Sequence, residues 1–315
     1  MKVFDKRQIM AALDVEDALA RIEHGFIAYS SGAVQVPPVQ AFAFAQDNGD
    51  CCIKSAYVDG EETFTVKVST GFYHNPGKGL DSNDGLMLVL CARTGRPLAL
   101  LQDEGWLTGM RTALAGRIVA RLLAPREVTA IGVLGTGVQA RLQLEQLLAA
   151  TTCRKVVAWG RSEGNVRGYA EFARRLGCSV QIALDPEQVA RAANLIVCAT
   201  PARRPLLDST WIRPGTHITA LGADALGKRE LDVALVRRAD RLVVDSIKQC
   251  SRYGEVSGAV NEEPAQHERL LELGTLLAGG GQGRASEQEI TLADLTGVAV
   301  QDAQIASSVF ASLQR

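Results

Sequence analysis

Apolar and polar residues alternate along much of the first hundred positions. The segment TFTVKV, residues 63–68, places three apolar side chains on one face and Lys67 on the other. This two-residue period predicts a half-buried strand. The continuous apolar run GLMLVLCA, residues 85–92, predicts a buried strand. The turn RTGRP follows it, so this strand and the next are predicted to form a hairpin. This region therefore predicts a mixed or antiparallel sheet with one or two helices.

A helical period follows the hairpin. Residues 107–124, LTGMRTALAGRIVARLLA, carry apolar side chains at helical spacing and end before Pro125. Thr108 is the predicted N-cap, which places Arg111 in the first turn. That end of a helix disfavours a cation, unless the cation and the helix N-terminus bind the same anion.

Beyond residue 128 the pattern becomes one of short, wholly apolar strands that alternate with helices. The strands are predicted at VTAIGVL, KVVAWG, SVQIAL, LIVCAT, HITALG and RLVVD, with helices over 138–150, 164–176 and 186–193. Strands that are apolar on both faces are typical of a parallel sheet covered by helices. After the loop GGGQG, the segment from ITLAD to the C-terminus predicts one last helix that returns to the first domain.

These patterns predict an α/β protein of two domains, one of them discontinuous. Residues 1–112 together with 293–315 form a smaller α+β domain. Residues 113–292 form a doubly wound domain of the Rossmann type, which binds dinucleotides.

The strongest local motif is the glycine turn G-x-G-x-x-A, formed by Gly135, Gly137 and Ala140 between a strand and a helix. The first glycine permits a tight turn, the second lets the backbone approach a pyrophosphate, and the alanine lets the helix pack closely on the strand. The free N–H groups of the helix N-terminus then face the phosphates. A purely structural turn is the alternative. The residues predicted to bind the cofactor here are Gly135, Thr136, Gly137, Val138 and Gln139.

The end of the second strand of this domain bears on the choice between NADP and NAD. An NAD site usually has an acid there, to bind the ribose hydroxyl. The sequence instead reads Trp-Gly followed by Arg161 and Ser162, which favours NADP over NAD, unless Arg161 is only a solvated loop charge. Thr200, at the end of the strand LIVCAT, is predicted to line the nicotinamide side.

Composition narrows the range of functions. The 315 residues carry 34 basic and 35 acidic side chains, a net charge of −1, which gives no reason to expect nucleic acid or a membrane surface as a partner. No apolar run reaches the length of a membrane span, and the charged N-terminus is unlike a signal peptide. Seven cysteines without a CxxC pair and four scattered histidines predict reduced thiols, a cytoplasmic location and no metal site.

Several longer motifs resemble one known family, the ornithine cyclodeaminase/mu-crystallin family, which includes an archaeal type of alanine dehydrogenase and imine reductases. The motifs are TFTVKVSTGFYHNP, LLQDEGWLTGMRTALAGRIVARLLA, VLGTGVQA, LGADALGKRELD, GRASEQEITL and GVAVQD. The resemblance covers essentially the whole chain. It implies a homodimer in which the discontinuous domain carries the dimer interface and much of the substrate site. It also implies hydride transfer between a nicotinamide cofactor and the carbon of a small amino or imino acid.

Three residues take family roles through these motifs. The resemblance implies that Lys67 binds the substrate carboxylate and helps to polarise the reacting centre, and that Arg111 also binds the carboxylate. It implies that Asp224 is the acid/base at the substrate amine. From the residues alone, Lys67 is equally compatible with surface exposure and Arg111 with a structural salt bridge to Asp103 or Glu104. Asp224 is compatible with capping the turn that follows it.

One position departs from the family pattern. Where relatives commonly carry an arginine after the PP segment, this chain has Gln40, which brings no charge to a carboxylate. The sequence therefore favours an NAD(P)-dependent imine reductase or amino-acid dehydrogenase. The alternatives are a true ornithine cyclodeaminase, which releases proline and ammonia, and a non-catalytic protein that binds NADP or a small ligand.

Overall fold

A computed structural model describes Met1 to Arg315, except for the side chain of Pro76. The chain divides into two compact units, one of Met1–Thr112 with Val298–Arg315 and one of Ala113–Gly297. The first division falls inside a helix. The second division falls five residues later than the boundary expected from the sequence, because the segment before it belongs to the sheet of the second unit.

The first unit is an antiparallel sheet with one added parallel strand, and with helices. Strand β1 pairs in parallel with β7, whereas the pairs from β7 to β4 are antiparallel, and β2 and β3 both pair with β4. The mixed sheet predicted for this region is therefore confirmed. Its elements are β1 Lys2–Asp5, α1 Lys6–Ala12, α2 Val15–Ser30, β2 Val34–Gln35, β3 Gln40–Phe44, β4 Gly49–Val58, β5 Thr63–Phe72, β6 Asn83–Cys91, β7 Pro97–Gln102, the start of α3 Trp106–Leu123, and α11 Ala299–Leu313.

Helix α11 is the centre of this unit, because it contacts α2 and the strands β4, β5 and β6. Most residues along this helix are small or apolar, and most are buried. The strand β5 alternates as predicted, but the face that carries Thr65 and Lys67 is the buried one, whereas Phe64 is only half-buried. A lysine can occupy that face because α11 brings an acid to it, as described below.

The second unit is built on an eight-stranded, wholly parallel sheet. Its strands are β8 Ile131–Leu134, β9 Lys155–Trp159, β10 Ser179–Ile182, β11 Leu195–Cys198, β12 His217–Ala220, β13 Arg241–Val244, β14 Leu270–Glu272 and β15 Thr291–Asp294. Its helices after α3 are α4 Val138–Ala150, α5 Glu163–Arg175, α6 Pro186–Ala192, α7 Val233–Arg238, α8 Ile247–Tyr253, α9 Val256–Glu262 and α10 Leu273–Leu277.

The strand order is β10-β9-β8-β11-β12-β15-β13-β14, and the direction in which the chain adds strands reverses between β8 and β11. The chain first builds outward from β8 to β10 and then returns to build on the other side. This reversal is the switch point at which doubly wound sheets bind ligands, at the carboxyl ends of the strands. The Rossmann-type domain predicted from the sequence is therefore confirmed, and the glycine turn follows β8 at this point.

The C-terminal segment corrects the prediction of one long last helix. Thr291–Asp294 is a fully buried strand that lies between β12 and β13 in the sheet, and the helix begins only at Ala299. Gly297, with φ of 83°, separates the two. A four-residue apolar strand cannot be told from a helix segment by periodicity, which explains the error. Because β15 belongs to the second sheet, that unit extends to Gly297.

The start of α3 also differs from the prediction. The helix begins at Trp106, and the carboxylate of Asp103 accepts the N–H of Leu107 at 2.8 Å, so Asp103 is the capping residue in place of Thr108. Arg111 consequently lies in the second turn of the helix. Among the described residues, no helix combines the length and the apolarity needed to cross a bilayer.

Candidate active site

A buried cluster of charges forms around one carboxylate of the first unit. The Nζ of Lys67 on β5 donates to Asp302 Oδ1 on α11 at 2.9 Å, and the Nε of Arg111 on α3 lies 3.0 Å from the same oxygen. Only 1% of Lys67, 5% of Arg111 and 2% of Asp302 is exposed. Lys67 and Arg111, which were singled out from the sequence, are thus adjacent in the structure.

This burial perturbs the titration of both partners of the ion pair. Burial lowers the pKa of Lys67 to about 7, although the neighbouring charge of Asp302 opposes the shift. Burial alone would raise the pKa of Asp302, but the charges of Lys67 and Arg111 hold it below its ordinary value. The two cations therefore favour the ionised form of Asp302, and the lowered pKa of Lys67 brings its titration closer to neutrality.

The partners of Arg111 differ from those considered from the sequence. Glu104 pairs with Lys6 instead, at 2.9 Å, and Asp103 caps α3. Arg111 Nη1 donates to the side chain of Gln301 at 2.8 Å, next to Asp302 in the chain. Sequence analysis missed both Gln301 and Asp302. The available signal was a polar pair within the motif GVAVQD, at the start of a helix that is otherwise small and apolar.

Gln40, the position that departs from the family pattern, lies on β3 opposite Ile53. Its side chain is exposed and makes no hydrogen bond to any described residue. The structure therefore does not bring it into the cluster of Lys67, Arg111 and Asp302.

The glycine turn has the geometry of an anion-binding loop. Gly135 adopts φ of 115°, and a Cβ there would lie 2.5 Å from the carbonyl oxygen of Ala199, so no other residue fits. A Cβ on Gly137 would meet nothing within 4 Å, which leaves open space at the helix N-terminus. The first helical bond runs from Arg141 to Gly137, and no side chain caps the helix. The N–H groups of the first turn, which includes Val138 and Gln139, are therefore available to a phosphate.

Arg161 and Ser162 follow the end of β9. Arg161 is exposed and makes no hydrogen bond or ion pair with a described residue. Ser162 caps α5 by accepting the N–H of Asn165 at 3.5 Å, and its hydroxyl hydrogen is left to donate elsewhere. Thr136 packs here as well, because a Cβ on Gly160 would lie 2.6 Å from its methyl group. These groups fit a phosphorylated ribose.

A buried glutamate, also missed from the sequence, joins two loops at the carboxyl ends of the strands. The backbone N–H and the hydroxyl of Thr200 both donate to Glu230 Oε1 at 2.7 Å, and the N–H of Gly222 donates to Oε2 at 2.8 Å. The N–H groups of Glu230 and Leu231 donate in turn to the carboxylate of Glu255. Burial raises the pKa of Glu230 to about 7, against the hydrogen bonds that favour its charged form.

Asp224 lies two residues beyond the glutamate's contact at Gly222. Its side chain is 52% exposed and pairs with Lys228 at 2.6 Å, four residues along the chain. A Cβ on Gly222 would lie 2.0 Å from the carbonyl oxygen of Thr200, so the start of this loop is fixed against the neighbouring one. The contact of Asp224 is with a side chain rather than with backbone N–H groups of the turn. Within the described residues, no group of three or more His, Cys, Asp or Glu side chains is arranged to hold a metal ion.

Replacing Glu230 by glutamine tests this link between the loops. The amide NH₂ would face a donor at Thr200 or Gly222, so the free energy of unfolding is expected to fall by about 1–3 kcal/mol in urea titrations. The matched control is Glu262→Gln, which breaks an exposed ion pair to Arg237 and is expected to cost less than about 1 kcal/mol. Equal losses in the two variants would contradict the assigned role.

The pH dependence of the same pair of proteins gives a second readout. Because burial raises the pKa of Glu230 from 4.5 to about 7, the folded state binds this proton more tightly than the unfolded chain. Its contribution to the free energy of unfolding is therefore greatest below pH 4.5 and is lost as the pH rises through 7. The variant is expected to show a shallower decline across this range than the wild type.

Comparison with known proteins places these features in a family. The ornithine cyclodeaminase/mu-crystallin family matches residues 2–315. A Rhizobium meliloti (strain 1021) protein, provisionally named a dehydrogenase, is 38% identical over 99% of this chain and 95% of its own length. An archaeal alanine dehydrogenase dimer, solved with bound NAD, is 31% identical, with a TM-score of 0.92 over 100% of this chain and 96% of that one.

A third relative was solved with an amino acid in place. The Delta(1)-pyrroline-2-carboxylate reductase of Thermococcus litoralis, in complex with NADH and L-proline, is 28% identical, with a TM-score of 0.93 over 100% of this chain and 98% of that one. Its fold and that of the alanine dehydrogenase agree with the two units described above. Since the family match spans nearly every residue, this chain belongs to the ornithine cyclodeaminase/mu-crystallin family.

Proposed function

We propose that the protein is an NAD(P)-dependent oxidoreductase that transfers hydride between the nicotinamide and the α carbon of a small amino or imino acid. The observation that carries this proposal is the pair of buried cations, Lys67 and Arg111, which share the single carboxylate of Asp302. Burying two cations against one anion is costly unless a second anion completes the site. The carboxylate of an amino or imino acid is such an anion.

The first unit supplies the substrate carboxylate site and the second supplies the cofactor site. Backbone N–H groups at the glycine turn bind the pyrophosphate, Thr200 lines the nicotinamide side, and Arg161 and Ser162 bind a 2′-phosphate. These two residues favour NADP, whereas the solved relatives contain NAD or NADH. When bound, the cofactor supplies or accepts the hydride. The open space at Gly137 and the uncapped helix α4 support this assignment.

The protein side chains handle the charge and the proton. Lys67 and Arg111 bind the substrate carboxylate and orient the α carbon, which reduces the entropy cost of reaching the transition state. Lys67 also helps to polarise the reacting centre. Asp224 donates a proton to the nitrogen during imine reduction and removes one during amine oxidation. Its exposure allows exchange of that proton with solvent.

Gln40 weighs against ornithine as the substrate. It places no charge where relatives commonly have an arginine, and its side chain lies outside the cation cluster. The reductase and dehydrogenase activities are therefore favoured over the cyclodeaminase. A purely binding function is disfavoured because it would not need Lys67, Arg111 and Asp224 together.

Turnover of small imino acids tests the proposed reaction. The purified protein is expected to consume reduced cofactor with pyrroline-2-carboxylate, piperideine-2-carboxylate, or a 2-oxo acid plus ammonia, as measured by nicotinamide absorbance. Asp224→Asn is expected to lower kcat by roughly 10²–10⁴-fold while cofactor affinity is retained. Asp185→Asn, which preserves a helix cap on α6, is the control and should leave kcat unchanged.

Failure of the wild-type protein to turn over any member of this panel, with ornithine and ammonia release included, would overturn the proposed activity. Retained activity in Asp224→Asn would overturn the role given to this residue alone. Ammonia release from ornithine would show that Gln40 is tolerated and would assign the cyclodeaminase reaction.

A second prediction concerns the cofactor. Arg161→Ala removes the cation proposed to face the 2′-phosphate and is expected to weaken NADPH by about 10–100-fold in calorimetric titrations, with little effect on NADH. Arg167→Ala breaks an exposed ion pair to Glu163 on α5 and serves as the control. Equal weakening of the two cofactors by Arg161→Ala would contradict the assignment.

We further propose that a second copy of the chain covers the strand β3. Every residue of this strand is exposed, and 53% of Phe42 and 42% of Phe44 is accessible. Among the described strands, β3 pairs with β4 alone. An exposed apolar edge strand is a liability unless a partner covers it. The alanine dehydrogenase relative was solved as a dimer.

Light scattering after gel filtration tests this self-association. The wild type is expected to elute with the mass of a dimer, and Phe42→Ser is expected to shift the population toward the monomer. Leu184→Ser removes an exposed apolar side chain, 84% accessible, from the second unit and should have no effect. A monomeric wild type at assay concentration would contradict the proposal.

A further inference from the structure

The arrangement of donors and acceptors around Asp302 is asymmetric. Its Oδ1 is shared by Lys67 and Arg111, whereas its Oδ2 is buried and has no hydrogen-bond donor among the described residues. The acid comes from α11, whereas the two cations come from a strand and a second helix. A single carboxylate thus joins three elements of the first unit.

We propose that Asp302 is a positioning residue, a resident counter-ion that fixes Lys67 and Arg111 as one carboxylate-binding pair and keeps Lys67 charged. The inference rests on the proposed function in so far as the bound carboxylate is that of the substrate. Asp302 acts through the two cations and does not itself need to contact the reacting atoms.

The hydrogen bonds of Arg111 show how its orientation is fixed. Nη1 donates to Gln301 at 2.8 Å and Nε forms an ion pair with Asp302 at 3.0 Å, so two consecutive residues of α11 hold the guanidinium at two of its nitrogens. Nη2 makes no hydrogen bond to a described residue. Nη2 is therefore the nitrogen left to donate to an incoming anion.

The charges that face Lys67 explain why it needs this partner. They come from four elements: Asp302 on α11, Arg111 on α3, Lys54 on the paired strand β4, and Asp103 before α3. Two of these charges are positive and, together with burial, disfavour the ammonium. Asp103 also caps α3, and burial raises its pKa to about 6, so it is an incomplete substitute for Asp302.

A counter-ion and a merely structural acid predict opposite effects of charge removal. If Lys67 stayed protonated without Asp302, the loss of a nearby anion would strengthen binding of a substrate carboxylate. If Asp302 is what keeps Lys67 charged, its neutralisation would discharge Lys67 and weaken binding at neutral pH. Binding would then recover at lower pH, where Lys67 regains its proton.

The direct experiment follows the titration of Lys67 by NMR in protein labelled with ¹³Cε-lysine, with the signal assigned from Lys67→Arg. Asp302→Asn is expected to lower the pKa of Lys67 by at least about one unit. Asp302→Glu, which retains the charge, is expected to restore most of the shift. Ser308→Ala, which removes a partly buried hydrogen bond from α11 to Asp17, is the control and should not move the Lys67 signal.

An unchanged Lys67 titration in Asp302→Asn overturns the proposal, whatever the activity of the enzyme. Should the single variant not fold, the double variant Asp302→Asn/Lys67→Met decides. Recovery of the folded state is expected when an unpaired buried ammonium is what destabilises the single variant. Failure of the double variant to fold overturns the proposal.

The kinetic experiment uses the best substrate of the wild type. In Asp302→Asn, KM at pH 8 is expected to rise at least about tenfold with a smaller change in kcat, and the alkaline limb of kcat/KM should move to lower pH. A lower KM for the variant at every pH overturns the proposal. Because the NMR titration needs no turnover, absence of activity in the wild type would overturn the proposed function and leave this inference to be judged separately.

Discussion

Two cations of the first unit are buried together with the carboxylate of Asp302, which pairs with both of them. The cost of removing Lys67 and Arg111 from water is comparable with the net stability of a domain, so an uncompensated pair would remove most of that stability. Asp302 offsets part of this cost, and it can do so because α11 runs against β4, β5 and β6 and contacts α2. The C-terminal return of the chain to the first unit is therefore a condition for the carboxylate site as well as a feature of the topology.

The second unit meets a comparable constraint with hydrogen bonds instead of opposite charges. The carboxyl ends of its strands leave backbone N–H groups without partners, and Glu230 accepts from both Thr200 and Gly222. Such a connection fixes two loops at the edge where ligands bind in this fold. The glycines there, Gly135 and Gly222, are required because a side chain at either would collide with a neighbouring carbonyl group. Rigid loops of this kind hold a cofactor with little loss of entropy on binding.

Local pattern was sufficient for the glycine turn and for most of the parallel strands, because each has a signal within a few residues. Lys67 and Arg111 were selected through the resemblance to the family, since the residues around them left other roles open. It was insufficient for β15, because these four residues become a strand by inserting between β12 and β13, both of which are distant from β15 in sequence. It was also insufficient for Asp302 and Glu230. Asp302 lies 235 residues from Lys67 along the chain, and an acid in a helix has no feature that identifies its partner in advance. The burial of Lys67 on β5 was left open for the same reason, since a lysine is expected to face water until a buried acid is known.

The three acids that matter to the proposed reaction differ in ways that suit different tasks. Asp302 is buried between cations that keep it ionised, so it cannot serve as a proton donor near neutral pH. Glu230 is buried and committed to three N–H and O–H donors, so releasing a proton from it or adding one would disturb both loops. Asp224 is exposed, and among the described residues its ion-pair partner is the ammonium of Lys228. Proton exchange with a substrate and with solvent is therefore least costly at Asp224, which is the physical reason to assign it the acid/base role.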